Sequence, residues 1–226
     1  MKLTVVAALL LYPALVQLNQ TADNFIQIWT AGPMHPDEVL GQTGETWFGL
    51  FHSHEGFELL PATITVLDSP TVGGLYQKFV RTNRFTDPVF LIRGLPELRE
   101  GAVKTVFFGY FRPTPSNGIT LYASSDPMSQ CNLHASGKQS TETIDDYKLS
   151  FSDLRTTQIL ATRTPAFTEA FPTLRWAGDL DRDGKLDLLI DMTNHYNIML
   201  PTLFLSSRTA PTELLKEVAS HRRGGC

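Results

Sequence analysis

From Asn24 to Ser207 the chain keeps returning to short runs that favour extended backbone, and this recurrence constrains the fold more than any other feature. The runs are "NFIQIW", "TWFGLF", "ATITVL", "PVFLIRGL", "VKTVFFGYF", "GITLYAS", "YKLSFS", "TQILATR", "LDLLIDM" and "TLFLSS", with turn-forming residues between them. Several alternate in polarity. Thr63 and Thr65 oppose Ile64 and Val66, and Thr120 and Tyr122 oppose Ile119 and Leu121, the period-two pattern of a strand with one buried face. Helical patterning is scarce. "LPELREG", residues 95–101, has room for a single turn, and "PTELLKEVASH", residues 211–221, reads either as a short helix or as a strand through Leu214, Leu215 and Val218. The expected fold is all-β, with antiparallel sheets in a sandwich or barrel-like arrangement and little helix.

A chain of 226 residues with 42% apolar residues can build one such domain with a substantial core. Gly and Pro are spread along it rather than pooled in a linker, and "RPTPSNG", residues 112–118, is the best candidate seam between halves. "ETWFGLFHSHEGFELL" predicts a hairpin: a strand through Trp47 and Phe51, a polar tip at His52 to Gly56, and a return through Phe57 to Leu60. Core packing accounts for its aromatics.

The N-terminus carries an address rather than a fold element. After Lys2 no charged residue occurs until Asp23, and "LTVVAALLLYPALV" is apolar throughout but shorter than the roughly 20 residues a bilayer span needs. A basic start, a short apolar run, Pro13 and then polar "QLNQT" match a secretory signal peptide, residues 1–22, followed by a single β-rich domain, 23–226. The alternative is a buried N-terminal strand or helix. The mature chain is expected to be exported, periplasmic or extracellular, without a membrane span. Cys131 and Cys226 suit an oxidising compartment, and if joined they would close a loop worth about 4 to 5 kcal/mol at best. The net charge of −4 argues against a nucleic-acid partner, and the basic run His221-Arg222-Arg223 reads as a solvated tail.

Chemistry concentrates in "GDLDRDGKLDLLID", residues 178–191. Asp179, Asp181 and Asp183 stand at positions 1, 3 and 5 of a loop, Gly184 at 6, Lys185 at 7 with its carbonyl, and Asp187 at 9. Alternate carboxylates in a tight turn converge on one hard cation, and an all-oxygen set without Cys or His favours calcium. A helix-loop-helix site is excluded, because position 12 holds Ile190 instead of Glu and "LDLLIDM" reads as a strand. The alternative is a solvated acidic turn with Arg182 and Lys185 as internal counter-charge.

"WAGDLDRDGKLDLLID" resembles the calcium loops of FG-GAP and VCBS repeats, found in integrin-type propellers and many exported bacterial proteins. The resemblance implies calcium ligation by Asp179, Asp181, Asp183, the Lys185 carbonyl and Asp187. It covers one loop, no second copy occurs, and the remaining chain is too short for a full propeller. "HYNIMLPTLFLSS" and the final Gly-Cys are similar to the ends of exported bacterial proteins of no assigned function.

Two further groups offer weaker chemistry. His52 and His54 share a strand face, as zinc or copper ligands would, although a polar turn explains them more simply. Asp191, His195 and Tyr196 form a candidate acid/base cluster, with structural hydrogen bonding as the default and an outer-shell role at the metal for Asp191 as another option. No catalytic motif such as G-x-S-x-G or H-E-x-x-H is present, so whether the chain is an enzyme stays open. The leading expectation is a secreted domain with structural calcium. A calcium-supported hydrolase and an adhesion module using the Phe- and Trp-rich N-half, with a protein or glycan partner, are the alternatives.

Overall fold

The computed structural model describes residues 25–72, 75–167 and 170–224. The expected signal peptide and Cys226 lie outside the described residues. In chain order the strands are β1 (Gln27–Trp29), β2 (Gly32–Met34), β3 (Thr46–Ser53), β4 (Gly56–Val72), β5 (Leu75–Thr82), β6 (Phe90–Arg93), β7 (Gly101–Phe111), β8 (Gly118–Tyr122) and β9 (Gln130–Gln139). They continue as β10 (Thr143–Ser152), β11 (Thr157–Arg163), β12 (Ala166–Phe167), β13 (Thr173–Asp179), β14 (Asp187–Asp191), β15 (Ile198–Met199), β16 (Pro201–Leu205), β17 (Lys216–Ser220) and β18 (Arg223–Gly224). Helical geometry is confined to two single turns, Pro36–Glu38 and Pro127–Ser129, among the described residues. The protein is all-β. Each of the ten runs marked in the sequence contains a strand. Residues 95–101 make only a turn, with the Leu98 amide donating to the Leu95 carbonyl at 3.3 Å, and the ambiguous 211–221 stretch supplies strand β17.

The main sheet runs β1-β6-β3-β4-β7-β13-β14-β16-β17, with β5 attached to β4 and β2 to β5. All its pairings are antiparallel, and its first and last strands come alongside each other without pairing, so the sheet curls into a nearly closed barrel. A second sheet, β11-β10-β9-β8 with β12 on β10, packs beside it, and β15 pairs with β18. The β3–β4 hairpin follows its expected course, from Thr46 opposite Thr63 to Ser53 opposite Gly56. Segment 112–118 carries the chain from β7 of the main sheet to β8 of the second, and the buried Tyr147 hydroxyl donates to the Pro113 carbonyl there at 3.2 Å.

Three strands serve two cores at once. Leu188 and Ile190 of β14 pack with Leu133, Tyr147 and Phe151 of the second sheet, whereas Leu189 between them packs with Leu50, Leu59 and Phe90 inside the barrel. β16 divides likewise, with Phe204 on one side and Leu203 and Leu205 on the other; in β13, Ala177 faces the second sheet and Trp176 the barrel. A strand covered on both faces needs apolar residues at every position, which is why "LDLLID" is continuous rather than alternating. Full burial of each such side chain is worth about 1.5 to 3 kcal/mol. Trp29, Trp47 and Trp176 are all at most 1% exposed, so the tryptophans belong to the cores and offer no partner surface.

The C-terminal basic run does not form a solvated tail. His221 and Arg223 are buried, at 4% and 8% exposure. The His221 Nε2 lies 2.8 Å from the Glu38 carbonyl, Arg223 donates to Thr30 Oγ1 and the Pro33 carbonyl, and the Gly224 amide donates to Glu38 Oε1. His221 and Arg223 are buried because Thr30 to Glu38, remote in sequence, supply their hydrogen bonds.

Candidate metal centre

The partition strands β13 and β14 are joined by the acidic loop. Gly178 pairs with Asp187, so Asp179 and Asp187 stand at the two feet of a turn that Asp181 and Asp183 crown. The turn closes through Arg182 and Gly184, whose φ angles of 64° and 85° are left-handed. Glycine adopts that conformation without penalty, and a Cβ at 184 would meet no atom within 4 Å, so φ alone calls for glycine there.

One ligand oxygen each from Asp179, Asp181 and Asp187 lies within 4.8 Å of the other two, a spacing that could hold a metal ion. Asp183 is not in that trio. Its Oδ2 accepts from the Ser206 hydroxyl at 3.0 Å and its Oδ1 from the Lys185 amide at 2.8 Å. The remaining oxygens are tethered too. Asp187 Oδ2 accepts from the Leu180 amide at 2.8 Å, and its Oδ1 accepts from the Ser206 amide at 2.9 Å and hydroxyl at 3.1 Å. Asp181 accepts from the Asp183 amide at 3.3 Å and from the Ser207 hydroxyl; Asp179 Oδ2 accepts from the Gly184 amide at 3.0 Å. Asp179 Oδ1 is different: it is buried and has no hydrogen-bond partner among the described residues. An orphaned buried acceptor costs about 1 to 3 kcal/mol, so an oxygen in that position calls for a positive partner.

Charge makes the same demand. Asp187 is wholly buried, and its burial, with the charge of Asp181 second, pushes its carboxyl up to about 8. Burial also raises the Asp179 carboxyl, against the Gly184 hydrogen bond, with Asp183 and Asp181 adding to the rise. No ion pair among the described residues involves any of the four aspartates. Arg182 turns away, donating to the carbonyls of Arg99 and Ala102, and Lys185 pairs with no acid among the described residues, so counter-charge from these two does not explain the loop. Ser206 and Ser207 had no signal in the sequence. The pairing of Leu188 with Phe204 brings them alongside the loop.

The other candidates fare differently. His52 stacks on Phe57 at 4.5 Å, while His54 sits at the hairpin tip with its side chain 90% exposed and 3.6 Å from Glu55. The only group of three or more metal-ligating side chains among the described residues is the aspartate trio, so the histidine pair gains no third ligand. Asp191 is 8% exposed, and its Oδ1 accepts from the amides of Thr193 at 3.2 Å and Leu200 at 2.8 Å. His195 and Tyr196 stack on each other at 4.5 Å in solvent, and His195 Nδ1 accepts from the Asn197 amide. No hydrogen bond joins Asp191 to His195 among the described residues. Asp191 therefore organises the 191–200 turn. A cleft of about 550 Å³ opens between β1 and β17, lined by Gln27, Gln158 and Glu217 among others, and none of residues 179–195 reaches it.

No family model, curated protein or solved structure matches this chain. Among the described residues no helix is long and apolar enough to cross a membrane.

Proposed function

We propose that this is an exported β domain in which the loop 179–187 binds calcium, with a structural role for the ion. The observation that carries the reading is the convergence of Asp179, Asp181 and Asp187 to within 4.8 Å with no ion pair to them among the described residues. In this reading those three supply one oxygen each. Asp183 and the Lys185 carbonyl, as the FG-GAP and VCBS resemblance implies, complete an oxygen set with water. Oxygen donors alone, on a flexible turn, suit calcium better than the softer transition metals. The ion would neutralise acids that otherwise repel, and it would fasten the β13–β14 turn to the Ser206–Ser207 segment.

Export supports this choice of ion, since extracellular modules commonly hold calcium at dissociation constants of about 10⁻⁴ to 10⁻³ M. The test is thermal unfolding of the chain lacking residues 1–22, in chelator and in calcium at about 5 mM, roughly fivefold above the upper end of that range. Calcium should raise the melting temperature by several degrees, magnesium by less, and Asp181→Ala should remove the rise. An equal rise in the variant would defeat the assignment.

A further inference from the structure

β4 and β13 pair with different stretches of β7. On one side β4 covers only Gly101 to Val103, where Leu59 opposes Gly101 and Phe57 opposes Val103. On the other, β13 pairs from Lys104 to Phe111. Beyond Val103 the hairpin tip ends, and Thr105–Phe111 has no strand on its β4 side among the described residues. This leaves an open strand edge next to large exposed rings. Phe108 is 49% exposed and touches Phe57 and His52 with ring centroids 5.2 and 5.3 Å apart, and Tyr110 is 76% exposed. The Arg175 guanidinium lies 3.7 Å above the Tyr110 ring and donates to its hydroxyl at 2.7 Å. No ion pair among the described residues uses Arg175. Arg175 is the cation at this ring pair; the acids placed beside β7, Glu58 opposite Ala102 and Asp179 opposite Lys104, lie at its other end, before the open stretch begins.

We propose that the edge Thr105–Phe111 receives an extended, acidic segment of a partner protein as an added strand. Free amides and carbonyls of β7 would hold its backbone, since an exposed edge is a template for a further strand. Phe108 and Tyr110 would pack its apolar side chains, and Arg175, fixed by Tyr110 but with guanidinium donors to spare, would pair with its carboxylates. The inference is independent of the calcium reading, and binding is expected in chelator as in calcium.

The test is fluorescence anisotropy of the chain lacking residues 1–22 with a labelled ten-residue peptide alternating Glu and Val. Its Lys-Val counterpart, a copy N-methylated at alternate residues, and labelled polygalacturonate serve as comparisons. The acidic peptide should bind, the N-methylated copy at least tenfold more weakly, and the basic peptide not at all. Arg175→Ala, at a half-buried position, and Tyr110→Ala, at an exposed one, should weaken binding at least tenfold with unchanged circular dichroism. Absence of binding, equal binding of the N-methylated or basic peptide, a preference for polygalacturonate, or unaltered affinity in both variants would each overturn the proposal.

Discussion

Strand β14 begins and ends on a buried aspartate, and the two ends are solved in opposite ways. Asp187 and Asp191 are 0% and 8% exposed, and each accepts at least two backbone amides. At the Asp191 end a cation is built in. Burial lowers the pKa of Arg163, with Tyr147 and then Asp191 opposing the fall, and its guanidinium donates to the carbonyls of Met192 and Thr193. At the Asp187 end the nearest charges are acids, and the carboxyl rises to about 8. Burial alone therefore does not call for a metal. A surplus of like charge, with no ion pair among the described residues, is what a metal could neutralise.

The sharpest way to break this comparison is to truncate both ends. Asp187→Ala and Asp191→Ala should each lower stability by about 2 to 4 kcal/mol, because buried amides lose their acceptors. Calcium at a hundredfold excess over its dissociation constant should widen the Asp187 deficit by about 2.7 kcal/mol and leave the Asp191 deficit unchanged. Urea unfolding with and without calcium measures both, and an equal calcium gain in the two variants would erase the distinction. Next in size, Arg163→Met should cost about 1 to 3 kcal/mol by orphaning two carbonyls, while its melting temperature still rises with calcium. Loss of the calcium response in that variant would show that the two ends are coupled.

A smaller effect separates pH from both. Burial lowers the pKa of His221 below the ordinary 6.5, with the Glu38 hydrogen bond opposing and Arg223 assisting. The folded chain thus prefers the neutral ring, and that contribution is complete above about 6.5 and lost as pH falls through the lower folded value. Protonation would place a proton on Nδ1, which is buried and has no hydrogen-bond partner among the described residues. His221→Gln, which keeps a donor for the Glu38 carbonyl, should flatten the decline in melting temperature between pH 6.5 and 5. The smallest effect is local. Cys131 shares a cleft with Gly184, Lys185 and Ser206, and burial, with Asp153 second, pushes its thiol to about 11. On a Cys226→Ser background its alkylation at pH 8 should be roughly a hundredfold slower than that of a free thiol. Calcium should slow it further, and Asp191→Ala should not.

Local patterns were legible in the sequence, and contacts between remote segments were not. The β3–β4 hairpin shows because Trp47, Phe51 and the polar tip at His54 are neighbours in the chain. β9, "QCNLHASGKQ", does not show, since its polar residues fit a strand only once β8 and β10 flank it. β13 is concealed by Arg175, at a register shift opposite both neighbours, and by Gly178. In the loop the spacing exposes the aspartates, yet Ser206 and Ser207 enter only through strand pairing. The same reason hides the burial of His221 and Arg223, whose partners lie between Thr30 and Glu38.

The double-faced wall of β13, β14 and β16 has a consequence for any attempt to divide the molecule. Cutting near residue 115 would leave the earlier fragment without the strands that roof its interior, and the later fragment with the inner side of those strands stripped bare. Each piece would keep one smaller core, but the barrel core they share, Leu50, Leu59 and Phe90 against Trp176, Leu189 and Leu203, would be opened in both. The molecule should therefore melt in a single step, and limited proteolysis should release no stable half.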